Sequence, residues 1–147
     1  MEQKTTDELY HEIQAAADAQ DFLSVNAGQL LSGSLCGRLK ALLEQKGLRR
    51  ADVVRGAQLD RTYIYQIFSG TRKPSRDKLI AIAFGLKLSD GEAQKLLKES
   101  GYRELYAKDP RDALILYALT HGKGVLETNE LLFSQGMATL EAPAKST

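Results

Sequence analysis

Three residues, Gln58, Leu59 and Asp60, are all that separates two short helical patterns, and a link this tight constrains the chain more than any other feature. Before it, RRADVVRGAQ predicts a short helix. After it, RTYIYQIFS sets Ile64, Ile67 and Phe68 on one face at helical spacing. Thr62, Gln66 and Ser69 then fall on the opposite face, with Arg61 at the helix entrance and Tyr63 and Tyr65 on the flanks. Asp60 stands where an N-cap carboxylate accepts backbone N–H bonds at the positive end of the helix dipole. Leu59 and Ile64 occupy the hydrophobic-staple positions around it. A merely solvated face is more often filled with Lys and Glu, whereas short, uncharged polar residues let a helix approach another surface closely.

Charge is distributed unevenly along the 147 residues, although the net value is only +1. Residues 1–34 carry one lysine against six carboxylates, a balance of −5. Residues 48–78 carry eight bases against Asp52, Asp60 and Asp77, a balance of +5. A basic segment inside a neutral chain is the electrostatic footprint expected of phosphate contact, although a solvated helical face gives the same count.

Elsewhere the pattern is helical throughout. TTDELYHEIQAAADAQ has Thr5 and Glu8 at capping-box spacing and Leu9, Ile13, Ala16 and Ala17 on one side, which predicts an acidic amphipathic helix. Its carboxylates offer a competitor for the basic segment, and a plain dimer or core helix is an equal alternative. VNAGQLLSGS reads as a linker. From Ser34 as N-cap, Leu35, Leu39, Leu42 and Leu43 form a core-facing stripe that Gly47 stops in a left-handed conformation. SRDKLIAIAFG is helical, and SDGEAQKLLKES opens on a second capping box, Ser89 with Glu92.

A repeat lies downstream. Shifting the chain by 35 residues lays 73–105 over 108–140 without a gap, with 11 of 33 positions identical. Arg76/Arg111, Asp77/Asp112 and Gly101/Gly136 are among them and are not core-pattern residues. Both copies read as the same helical hairpin. Two copies fall short of the ~3 that a free-standing solenoid needs, so the second is expected to stack on the first or on another chain. Leu131, Leu132 and Phe133 make a continuous apolar run there. The expectation is that all three pack on the preceding hairpin, and the alternative is that one faces a protein partner.

Catalytic and metal-binding patterns are absent from the sequence: there is no HExxH, no CxxC and no glycine-rich phosphate loop after a strand. His11 and His121 are far apart, and Cys36 lies beside the apolar stripe of its helix as a small packing residue. No enzyme, cofactor or metal is therefore expected. One cysteine and an N-terminus without a secretory pattern lead to the expectation of a cytoplasmic protein. No apolar run approaches the ~20 residues of a membrane span. A tight turn followed by a helix with a polar ridge is chemistry suited to the DNA major groove. Arg binds guanine O6 and N7 bidentately, Gln does the same to adenine N6 and N7, and Thr meets the thymine methyl. Arg50, Arg72, Lys73 and Arg76, outside the ridge, are placed to hold phosphates.

The run GRLKALLEQKGLRRADVV...LDRTYIYQIFSGTRKPSRDKLIAIAFGLKLS resembles the Cro and phage-repressor (XRE-type) helix-turn-helix family over about residues 34–100. The resemblance implies an all-α, lambda-repressor-like five-helix domain that binds operator DNA, usually as a homodimer on a two-fold site. It implies that Arg61, Thr62 and Gln66 read bases, that Arg50 touches the DNA backbone, and that Ser69 and Arg72 approach phosphate; Tyr65, Lys73 and Arg76 are expected to flank them on the reading of the residues alone. Two departures stand out. Gln58 replaces the usual turn glycine and is expected to take positive φ, and Val54 replaces the small residue that lets the two helices cross closely.

The expected organisation is an acidic helix and linker at 1–33, the DNA-binding domain at 34–104, the second hairpin at 105–140 and a disordered tail at 141–147. The expected function is a transcriptional regulator reading double-stranded DNA with helix 61–69. The alternative is a protein-interaction adaptor or antitoxin-like module working through the C-terminal hairpin.

Overall fold

The computed structural model describes residues 6–15 and 34–140 and divides into two compact units, the second beginning at Ser34. In the first unit, α1 (Thr6–Ala15) carries Asp7 and Glu8 in its first turn, with Tyr10 and Ile13 exposed. Thr5, Ala16 and Ala17, the linker up to residue 33 and the tail 141–147 lie outside the described residues.

Among the described residues the second unit is wholly helical. Helix α2 (Leu35–Lys46) starts at Ser34, whose hydroxyl accepts from Gly37 N at 3.0 Å, buries Leu39 and Leu42, and stops at Gly47 with φ 66°. Helix α3 (Arg50–Ala57) ends on Gln58 at φ 56°, the positive value expected for this turn, and Gln58 Nε2 donates to Arg55 O at 2.6 Å. Helix α4 (Arg61–Ser69) begins at Asp60, which accepts from Tyr63 N at 3.2 Å, and stops at Gly70. Helices α5 (Arg76–Gly85), α6 (Asp90–Glu99), α7 (Pro110–Thr120) and α8 (Val125–Ser134) follow. The capping box of α6 is formed as expected, with Glu92 N donating to Ser89 Oγ and Ser89 N to Glu92 Oε1.

Helix α5 is the centre of this unit. Every residue from Leu79 to Gly85 is buried, so the helix is apolar all round and must be covered on several sides. It packs against α3, α6 and α8, while α4 is held by α2 and α3. Helix α3 makes a close approach to α5. The approach is made at Gly56 and Gly85: a Cβ on Gly56 would stand 2.8 Å from Gly85 Cα, and one on Gly85 would stand 3.0 Å from Val53 O. Two ion pairs, Arg38 with Glu99 at 3.1 Å and Lys46 with Glu92 at 2.9 Å, tie α2 to α6.

The second hairpin, α7–α8, stacks on the first, α5–α6, and shares its core through Ile115, Ala118, Leu119, Val125, Leu132 and Leu140. The repeat survives in detail. Leu105 N donates to Gln94 Oε1 and, 35 residues on, Leu140 N donates to Asn129 Oδ1. Lys87 and Gly122, equivalent in the repeat, share the left-handed conformation at φ 58° and 66°. Of the apolar run, Leu132 is buried and Leu131 half-buried, but Phe133 is 78% exposed. The expectation that all three pack inward is therefore corrected. On a helix that buries Leu132, the next residue is carried 100° round and out of the core.

Asp112 is 1% exposed and takes the Arg76 guanidinium on both oxygens, at 3.3 and 3.0 Å. Removing one member of such a pair leaves the other buried and uncompensated, so Asp112→Ala is expected to lower unfolding free energy by about 3 kcal/mol in urea denaturation. Gly56→Ala is expected to cost about 1–3 kcal/mol through the forced separation of α3 from α5, even though alanine is the better helix former.

Candidate nucleic-acid interface

The geometry of the candidate site follows from how α4 is fastened. Ile64, Ile67 and Phe68 are fully buried, so the opposite face is fixed outward. Arg61, Thr62 and Ser69 are exposed there, and Gln66 is half-exposed. The cap at Asp60 and the left-handed stop at Gly70 (φ 86°) set the helix to nine residues. Thr71 N closes its end on Gln66 O at 3.0 Å.

The flanking tyrosines act as platforms for the basic residues. Arg50, at the first position of α3, lies over the Tyr65 ring at 4.6 Å from its centroid, and Arg61 approaches the same ring at 5.9 Å. Arg72, beyond the helix end, lies over Tyr63 at 5.0 Å. Its Nη1 also donates to Gln66 Oε1 at 3.3 Å. That bond turns one end of the Gln66 amide toward the arginine and leaves Nε2 as a donor. Burial pushes the Tyr63 phenol above its ordinary range.

The sequence-predicted residues thus divide. Arg50, Arg61, Thr62, Tyr65, Gln66 and Arg72 gather around the outward face of α4. The Ser69 hydroxyl is turned inward to the helix end, bonded to Gln66 O at 3.0 Å and to Thr71 Oγ1 at 3.1 Å. Lys73 is exposed and sits 5.2 Å from the Tyr102 ring, whose hydroxyl bonds Pro74 O. Arg76 is the exception. Its guanidinium is spent on Asp112 and on the carbonyls of Arg103 and Glu104, at 2.8 and 3.1 Å. It holds the hairpins together and is not presented with the others. Tyr63 was not among the expected site residues, because its partner Arg72 is brought to it only when Gly70 turns the chain.

Asp52 steadies the start of α3, which carries Arg50. It accepts Arg49 N at 2.8 Å and pairs with Arg55. The Arg49 backbone bond, more than the adjacent guanidinium groups, holds its carboxyl below the ordinary range. A depressed folded-state value means stability that is present above the unfolded pKa and lost as pH falls through the folded one. The melting difference between the wild type and Asp52→Asn is therefore expected to be largest near neutrality. It should shrink below about pH 4 and disappear once Asp52 is protonated.

Residues 34–96 match the family model described as a helix-turn-helix domain, and this part of the chain is such a domain, with α3 and α4 as the helices on either side of its turn. The match supports a DNA-binding regulator in general terms. No curated protein and no solved structure matches the chain. Among the described residues, no helix is long and apolar enough to cross a membrane.

Proposed function

We propose that the protein is a sequence-specific DNA-binding transcriptional regulator of the cytoplasm that lays α4, residues 61–69, in the major groove. One observation carries the reading: α4 is anchored by Ile64, Ile67 and Phe68, and its outward ridge of Arg61, Thr62 and Gln66 is ringed by arginines held over tyrosine faces. In this reading Arg61 and Gln66 supply bidentate contacts to purine edges, and Thr62 the contact to a thymine methyl. Arg50, Arg72 and Lys73 hold phosphates on either side, with Tyr65 and Ser69 flanking. The tyrosine platforms limit the rotamers each arginine loses on binding, so the basic rim is partly preorganised.

Selection of bound duplexes from a random pool tests the proposal. Gln66→Ala and Arg61→Ala are each expected to cost about 1–3 kcal/mol on the preferred site and to relax selection at one or two base pairs. Arg72→Ala is expected to weaken preferred and random duplexes alike and to lower the slope of log K against log salt by about 1. Unchanged base preference in Gln66→Ala would remove that residue from the reading set.

A second reading, an adaptor or antitoxin-like module acting through the C-terminal hairpin, draws support from Leu126 and Phe133, exposed at 59% and 78% on α8. Retention on random-sequence DNA at low salt distinguishes the two. The DNA reader is retained and elutes with salt, whereas the adaptor flows through.

A further inference from the structure

The two hairpins meet through a reciprocal interface. Arg76 of the first pairs with Asp112 of the second at 3.0 Å, and Arg111 of the second pairs with Asp77 of the first at 3.0 Å. Since 76 is equivalent to 111 and 77 to 112, residue i touches the counterpart of j while j touches the counterpart of i. The helices obey the same rule: α5 packs on α8, and α7, the counterpart of α5, packs on α6, the counterpart of α8. The arginines are also alike in their bonds to backbone carbonyls. Arg76 reaches the carbonyls of 103 and 104, and Arg111 those of 138 and 139, each 35 residues on. A translational stack of repeats would join unlike faces. Reciprocal contacts are the signature of a two-fold, isologous interface, here formed between two parts of one chain.

We infer that the face of α5–α6 centred on Arg76 and Asp77 is self-complementary, and that the α7–α8 hairpin occupies it in cis in place of a second copy of the chain. Occupied in this way, the face is not free to receive a second copy of the chain. Resting on the proposed DNA-reading role of α4, the consequence is a protein that presents one recognition helix per particle and selects a single, non-palindromic site. Filling the face in cis fixes it at every protein concentration, so occupancy of DNA rises without cooperativity.

Light scattering of the full chain, free and on selected duplex, tests the inference. The free protein is expected at its chain mass of 16.2 kDa up to about 100 µM, and the complex at one chain per duplex, on a motif without an inverted repeat. A free dimer, or two chains on a palindrome, overturns it. A monomer that binds no duplex leaves the cis pairing standing and removes the DNA-reading proposal instead. Arg111→Asp sets two carboxylates together at one of the two contacts and weakens the hold of the second hairpin. With helix content checked by circular dichroism, this variant is expected to show concentration-dependent dimers as the freed faces pair. A folded variant that stays monomeric counts against self-complementarity, and one that fails to fold leaves the wild-type masses and stoichiometry as the deciding measurement.

Discussion

A helix with no solvent face has to be walled in, and α5 is such a helix from Leu79 to Gly85. The helices around it serve that need as well as their own. Helix α3 closes one side at glycine distance, α6 folds back along it, and α8 of the second hairpin covers more. Because α3 is held this closely, the three-residue link from Gln58 to Asp60 leaves α4 little choice of direction. The apolar stripe of α4 turns inward and its polar ridge outward. The orientation of the proposed reading surface is therefore inherited from burial elsewhere, by a core packed too tightly to yield continuously.

The polar contacts work differently in the two halves of this unit. Around α4 they are exposed and built on aromatic faces, as the proposed reading requires of groups that exchange protein partners for phosphate. Between the hairpins they are partly buried, bidentate and doubled, with each arginine also holding two carbonyls of its own repeat. Exposed arginine contacts contribute little to stability, whereas breaking a buried pair costs much more. The same residue type is thus left available at the surface in one place and fixes register in another, and burial decides which.

Much of the fold was legible because local signals coincided. The caps at Ser34, Asp60 and Ser89, the stop at Gly47 and the positive φ at Gln58 all rest on short-range chemistry, and each is where the sequence pointed. The repeat was visible as an offset of 35 residues, but its reciprocal docking was not, since a one-dimensional alignment is the same for translated and two-fold copies. Arg76 stands apart from the exposed bases for a related reason. By charge and position it belongs with Arg72 and Lys73, and only the return of Asp112 from 36 residues away removes it from them. The glycine contact between α3 and α5 also escaped, because Gly56 and Gly85 are far apart in sequence and glycine inside a helix ordinarily reads as a weakness.

The copies are not equally finished. Gln94 spans both backbone groups of Leu105, donating to its carbonyl and accepting from its amide, whereas the shorter Asn129 only accepts the amide of Leu140. Its Nδ2 is buried without a hydrogen-bond partner among the described residues. One methylene of side-chain length therefore decides whether the end of a repeat is held by two hydrogen bonds or one. Of the two repeat ends, the Leu140 end is accordingly the looser in hydrogen exchange, and fraying from there uncovers the two-fold seam from its weaker edge.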